Sequence, residues 1–273
     1  MRIAVTTPLQ PTAAEHAAAG AAAARWGLPY ALRGHGPLEE IQRGAGADAL
    51  LVLSARDARL VIGGSARVWS PGMGALRAKR VAAQLAVARP RVPTDRDPFF
   101  EAADIRPGDA VLDCTLGLGA DALVAAVAAG EGGRVVGLEG SLALAAWVGE
   151  GLARSPLPGA GRIEVRAGDH AALLAAMPER SFDVVCFDPM FRHARAEPGG
   201  FDVVRALADG RPLERETLER ARRVARRWVL VKDGAPGWDL ARLGLTPLPS
   251  ARGAHRYFAR VPAYETGGAA PSP

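Results

Sequence analysis

The chain has 273 residues, 49% of them hydrophobic and 23% charged, a balance that suits a globular fold and excludes a disordered or fibrous chain. Its formal net charge of +5 and isoelectric point near 9.8 suit a polyanionic partner such as RNA or DNA, and equally suit plain solubility. Its cations are almost all arginine, with lysine at only Lys79 and Lys232.

Ile3–Thr7 reads as a short strand and Thr12–Trp26 as a helix with Thr12 at its N-cap. The alanine-rich stretch from Ala13 to Ala24 contains Glu15 and His16. It is too short and too polar for a bilayer, and the N-terminus lacks the apolar core of a signal peptide, so no membrane partner is expected. Ala49–Ser54 and Arg59–Ile62 flank a four-residue connection and predict a hairpin. Pro71-Gly72-Met73-Gly74 precedes a basic helical run, Ala75–Ala88, and Arg89–Asp95 is a proline-rich linker. Residues 1–95 are therefore expected to form a small N-terminal α+β domain with its linker.

After the linker the rhythm changes. Strands are predicted at Ala110–Cys114, Arg134–Glu139, Ile163–Ala167, Phe182–Asp188, Trp228–Lys232 and Tyr257–Val261. Helices fall between them, through Ala129, over Leu142–Arg154, over Ala171–Met177 and over Leu213–Arg227. This alternation predicts an α/β fold, a doubly wound Rossmann-like sheet, over residues 96–263. The last strand follows a short helix and a loop rich in Gly and Pro, and is expected to enter the sheet antiparallel. Residues 264–273 are expected to be a disordered tail. Cys114 and Cys186 lie in apolar runs, so a reducing cytoplasm is expected rather than a disulfide framework, and no Cys/His spacing fits a metal.

Val111-Leu112-Asp113-Cys114-Thr115-Leu116-Gly117-Leu118-Gly119-Ala120-Asp121 reads as strand, glycine turn and helix start. Gly117 and Gly119 allow a sharp turn and a close backbone approach by a ligand. Glu139 ends the next strand, where a carboxylate can accept both hydroxyls of a ribose. The pattern also satisfies the loose dinucleotide fingerprint, so an NAD-linked oxidoreductase stays open at this point. Asp113 and Asp121, however, put carboxylates where a pyrophosphate would sit. S-adenosyl-L-methionine has no phosphate and carries an ammonium and a sulfonium, which carboxylates attract. It is the favoured cofactor. Gly168-Asp169-His170 follows the third strand; Asp169 is a candidate acceptor for the adenine amino group or an N-cap, and His170 a candidate to pack on the ring.

The fourth strand runs into Asp188-Pro189-Met190-Phe191. Methyl transfer to an exocyclic amine needs in-line approach and acceptors that hold the amine and draw off its developing charge. Asp188 and the Pro189 carbonyl supply acceptors, and Phe191 can stack on the base. This tetrapeptide resembles the Asp/Asn-Pro-Pro-Tyr/Phe motif of amino-directed nucleic-acid methyltransferases, with Met190 in place of the second proline.

Together with Asp113–Asp121, Glu139-Gly140-Ser141, Val5-Thr6-Thr7, Pro71-Gly72-Met73, Arg77-x-Lys79-Arg80, Val231-Lys232 and His255-Arg256-Tyr257-Phe258, the chain resembles the bacterial 16S rRNA guanine-N2 methyltransferase family of the J type and its Bacillus-type relatives. The resemblance covers Val5 to Val261. It implies cofactor contacts at Ala120, Asp121, Glu139, Gly140, the Gly168–His170 turn and Asp188, and guanine N2 in rRNA as the methyl acceptor. Two departures bear on the target: Ala120 stands where the rRNA enzymes usually have Arg, and Arg192 where they have Pro.

Arg77, Lys79 and Arg80, with Met190, Arg192 and His193 around the motif, are the expected substrate contacts. Arg220, Arg222, Arg223, Arg226 and Arg227 form a further basic helix, which Glu214, Glu216 and Glu219 can instead neutralise. A methyltransferase acting on a small molecule or a protein is the alternative reading.

Overall fold

A computed structural model of the chain describes residues 1–86, 97–189, 207–208, 210–249 and 256–265. The expected proline-rich linker, Met190–His193 and nearly all of the expected tail lie outside these residues.

The N-terminal part is a four-stranded sheet of β1 (Ile3–Thr6), β2 (Ala49–Leu53), β3 (Ala58–Ile62) and β4 (Ser65–Val68), in that order. β1 is parallel to β2, and the rest is an antiparallel meander. Thr12 caps α1 (Ala13–Trp26) with a full capping box. Its hydroxyl accepts from the Glu15 amide at 3.2 Å, and Glu15 accepts from the Thr12 amide at 2.9 Å. α2 (Leu38–Gly44) and β4 were not expected. α2 buries no residue fully, resting only Leu38 and Ile41 on the cluster of Ala4, Leu50, Val52 and Val61, and every residue of β4 is exposed, so the apolar signal of each is weak. α3 (Met73–Ala86) is the basic helix, beginning two residues before the predicted start.

The second sheet is built from α4 (Pro98–Ala103), β5 (Ala110–Asp113), α5 (Ala120–Ala129), β6 (Arg134–Glu139), α6 (Leu142–Arg154), β7 (Ile163–Ala167), α7 (His170–Ala176), β8 (Phe182–Phe187), α8 (Arg215–Val224), β9 (Ala225–Gly234), α9 (Trp238–Leu243) and β10 (Arg256–Pro262). The strand order is β10-β9-β8-β5-β6-β7. β5 to β9 are parallel and β10 runs antiparallel to β9, as expected. Strands buried on both faces read as near-continuous apolar runs, as the central Ala110–Asp113 and Phe182–Phe187 do apart from Asp183 and the closing Asp113.

The predicted helix Leu213–Arg227 is shorter. It ends at Val224, and Ala225-Arg226-Arg227 open β9 instead. Ala225 is buried opposite Phe182, Arg226 pairs with Asp183, and Arg227 pairs with Asp109. These partners lie at the amino edge of the sheet and draw the segment into the ladder. Arg220 and Arg222 bind Glu216 and Glu219 of their own helix, which is the neutralised arrangement.

The two sheets share one apolar cluster, in which Val5, Leu51 and Leu60 join Val111, Leu123 and Trp147. α6 locks them together. The Trp147 indole donates to the Ala58 carbonyl at 3.1 Å. Buried Glu150 accepts from Arg25 and from the Trp26 indole, both at 2.8 Å, and pairs with Arg154. Gly151 lies against the Trp69 ring, where a Cβ would come within 2.3 Å. Cys114 and Cys186 are buried and not disulfide-bonded. Among the described residues no helix is long and apolar enough to cross a membrane, and no group of three or more His, Cys, Asp or Glu side chains is placed to hold a metal ion.

Candidate active site

From β5 the chain winds to β6 and β7 on one side, then crosses to β8 on the other. The carboxyl ends of β5 and β8 therefore form a topological switch point, the place where open α/β sheets bind ligands. The glycine turn and Asp188 both sit there, and a hydrogen bond joins them: the Asp188 amide donates to the Thr115 hydroxyl at 2.6 Å. Thr115 had no role in the sequence reading, yet it ties the Asp-Pro segment to the turn.

Gly117 and Gly119 adopt φ of 51° and 81°, a region costly for other residues. A Cβ on Gly117 would meet nothing nearer than 3.9 Å, so that side of the turn is open. Glu139 is buried at the end of β6. One of its oxygens accepts from the Gly117 amide at 3.2 Å and the other from the Ser141 amide at 3.0 Å. Gly140, between Glu139 and Ser141, is exposed. The open turn beside a buried carboxylate fits the ribose end of a nucleoside cofactor.

Asp113 and Asp121 do not play the same part. Asp121 takes Arg77 on one oxygen at 2.5 Å and Lys232 on the other at 2.9 Å. Burial alone would raise its pKa, but Lys232 and Arg77 outweigh that and hold it down at about 2. Asp113 accepts from the Thr115 amide at 3.1 Å. Burial, reinforced by the charges of Asp121 and Asp188, pushes its pKa up to about 7, against the smaller pull of that amide and Lys232. Of the two carboxylates, Asp113 is the one in electrostatic need of a cation.

Arg77 departs from the expectation of a phosphate contact. Its guanidinium turns inward, forked onto Asp97 at 2.7 and 3.1 Å and onto Asp121. Lys79 is exposed and Arg80 half-buried on the same helix. Ala120 opens α5 and packs on Gly74 of α3. Gly168, with φ of 147°, and Asp169 follow β7. Asp169 is the N-cap of α7, accepting from the Ala171 and Ala172 amides at 2.9 and 3.1 Å, and its second oxygen pairs with Arg211. His170 packs edge-on against Phe187 at 5.8 Å. Pro189 is buried.

A glycine turn flanked by carboxylates, set at the switch point of this sheet, belongs to the S-adenosylmethionine-dependent methyltransferase class. Residues 52–242 match the family described as "Putative SAM-dependent methyltransferase", and the chain belongs to that family. The Bacillus subtilis (strain 168) protein YpiP is 34% identical over 212 residues, 76% of this chain and 79% of that one. The ribosomal RNA small subunit methyltransferase J of Halorhodospira halophila is 37% identical over 151 residues, 50% of this chain and 55% of that enzyme. A crystal structure of an S-adenosylmethionine-dependent methyltransferase from Neisseria gonorrhoeae shares the fold with a TM-score of 0.59 at 21% identity, covering 95% of this chain and 96% of that one. The protein is a methyltransferase, and its cofactor is S-adenosylmethionine.

Proposed function

We propose that the protein methylates an exocyclic amine of a nucleobase in RNA, guanine N2 of ribosomal RNA being the best-supported target, and that it works in the cytoplasm. The observation that carries the reading is the Asp188-Pro189 segment, pinned by Thr115 beside the cofactor turn. The partial likeness to a ribosomal RNA methyltransferase supports the substrate class. The two buried, unbridged cysteines support the compartment.

S-adenosylmethionine supplies a methyl group already activated on a sulfonium. What remains for the chain is to aim the amine and accept its charge. Asp188 and the Pro189 carbonyl hold the amine, and Phe191 stacks on the base. Met190, Arg192, His193, Lys79 and Arg80 contact the RNA. Asp113, Glu139, Gly140 and the Gly168–His170 turn hold the cofactor. The test is incubation of ribosomal subunits, bulk transfer RNA and total protein with methyl-labelled cofactor. Label is expected in small-subunit RNA, recovered on digestion as N2-methylguanosine. Label confined to protein or small molecules overturns the RNA assignment.

Asp113 gives the site a pH signature. An unfolded Asp ionises near its ordinary 3.8, whereas native Asp113 ionises at about 7. Between those values the native chain holds a proton that the unfolded chain has lost, so Asp113 makes stability fall as pH rises through the window. A cation placed beside Asp113 favours its carboxylate and expels the proton. Affinity for S-adenosylmethionine is therefore expected to rise about tenfold between about pH 6 and about pH 8. Calorimetry in buffers of different ionisation enthalpy should show proton release that Asp113→Asn lacks. A pH-independent affinity would remove Asp113 from the cofactor site.

A further inference from the structure

Five charged side chains from five segments form one line of ion pairs. Asp97, the N-cap of α4, is forked by Arg77 of α3. Arg77 reaches Asp121 in the first turn of α5 at 2.5 Å. Asp121 binds Lys232 of β9 at 2.9 Å, and the Lys232 ammonium also binds Asp188 at the end of β8. Arg77, Asp97, Asp121 and Lys232 have side chains no more than 13% exposed, while Asp188 is 31% exposed. The line is thus dry along its length and opens to solvent at Asp188.

Taking an ammonium out of water costs several kcal/mol unless partners repay it, so such a group is not a neutral filler of space. Two carboxylates on different elements do so here, and they keep Lys232 charged: burial would lower its pKa, but Asp121 and Asp188 outweigh burial and raise it. The residue type matters too. The chain has 34 Lys and Arg residues, of which only Lys79 and Lys232 are lysines. A guanidinium is a planar fork suited to one carboxylate face, as Arg77 is on Asp97. An ammonium is a compact charge with three donors that can sit between two carboxylates.

We propose that Lys232 is a positioning residue for methyl transfer: anchored by Asp121 and Arg77, it fixes the orientation of Asp188 and keeps its carboxylate ionised at the mouth of the site. The proposal rests on the reading of Asp188 as the acceptor for the target amine. Without Lys232, Asp188 would lose the ammonium it is paired with while Asp113 and Asp121 stay close by, and the buried thiols Cys114 and Cys186, whose pKa values burial raises, would stay neutral. Like charges so placed favour protonation of one carboxylate. A protonated Asp188 offers the amine a poorer acceptor, and one that has lost the ammonium is less firmly aimed.

The experiment is carboxyl-carbon NMR of protein labelled at aspartate, with Asp188 assigned by its loss in Asp188→Asn. In Lys232→Met, the Asp188 titration midpoint is expected to rise by about one pH unit or more. Lys232→Arg should reverse part of that shift. The acid limb of the pH–rate profile for label transfer should move to higher pH in step, so that raising the pH recovers Lys232→Met activity. An unmoved Asp188 midpoint in folded Lys232→Met, or a rate lowered equally at every pH, overturns the proposal. If Lys232→Met does not fold, Lys232→Gln, which also removes the charge but keeps a polar side chain, carries the same measurement, and an unmoved midpoint there overturns it. A shifted midpoint in a protein that labels no RNA supports the Lys232–Asp188 link and overturns the RNA reading alone.

Discussion

Asp188→Ala is expected to abolish methyl transfer, with a loss of at least about a hundredfold in turnover, the scale seen when one preorganised charge-stabilising group is removed. The loss should fall on kcat, because the acceptor matters most as positive charge develops on the amine. The fold should survive. Asp188 is the exposed end of the ion-pair line, and removing it leaves Lys232 bound to Asp121. The amide that Asp188 donates to Thr115 belongs to the backbone and persists in the variant. Asp188→Asn keeps an acceptor oxygen of the same reach and loses only the charge, so it should retain more activity than alanine. Initial rates of label transfer, with cofactor affinity measured by calorimetry, separate these effects. Turnover by Asp188→Ala at more than about a tenth of the wild-type rate would refute the assigned role.

The sequence made the second sheet legible because its strands are physically simple. Ala110–Asp113 and Phe182–Phe187 are largely buried and read as near-continuous apolar runs, interrupted by Asp183 and closed by Asp113. The α1 start was legible because a capping box needs only Thr12 and Glu15, three residues apart. α2 and β4 were not: α2 rests only Leu38 and Ile41, half-buried, on the core, and β4 is exposed throughout.

The site divides in the same way. Asp113, Gly117, Glu139 and Asp188 each mark the end of a strand or its turn, and the parallel order gathers strand ends at one edge. Arg77 was misjudged because Arg77, Lys79 and Arg80 look like one cluster on paper. On a helix, two residues apart means about 200° of rotation, so Arg77 and Lys79 point to opposite sides. Its true partners, Asp97 and Asp121, lie 20 and 44 residues away. Lys232 carried a usable signal, a lysine closing an apolar strand in a chain whose cations are arginine. Only the fold could show that it meets Asp121 and Asp188.

The inward turn of Arg77 bears on what the N-terminal part does for the reaction, and Gly74→Ala tests it. Gly74 is buried in the first turn of α3, directly against the start of α5. A Cβ there would stand 2.7 Å from the Ala120 Cα and 2.9 Å from its Cβ. No side chain can swing aside to relieve the first contact, since the Ala120 Cα is backbone, so α3 and α5 must separate. Alanine gains up to about 1 kcal/mol over glycine as a helix former, but overpacking of this kind costs about 1–3 kcal/mol. The net expectation is a loss of stability, with the melting temperature falling by about 2–8 °C. The larger effect should be on the cofactor. Moving α3 away from Ala120 pulls Arg77 off Asp121, and Asp121 sits one residue beyond the contact at the mouth of the glycine turn. Affinity for S-adenosylmethionine is expected to drop about tenfold, a loss of about 1.4 kcal/mol. Gly20→Ala is the control: Gly20 lies in α1 with nothing within 4 Å of the added atom, so it should leave cofactor affinity unchanged. Equal affinities in both variants would show that the N-terminal sheet stabilises the chain without shaping the cofactor turn. A drop confined to Gly74→Ala would make α3 a structural wall of the active site.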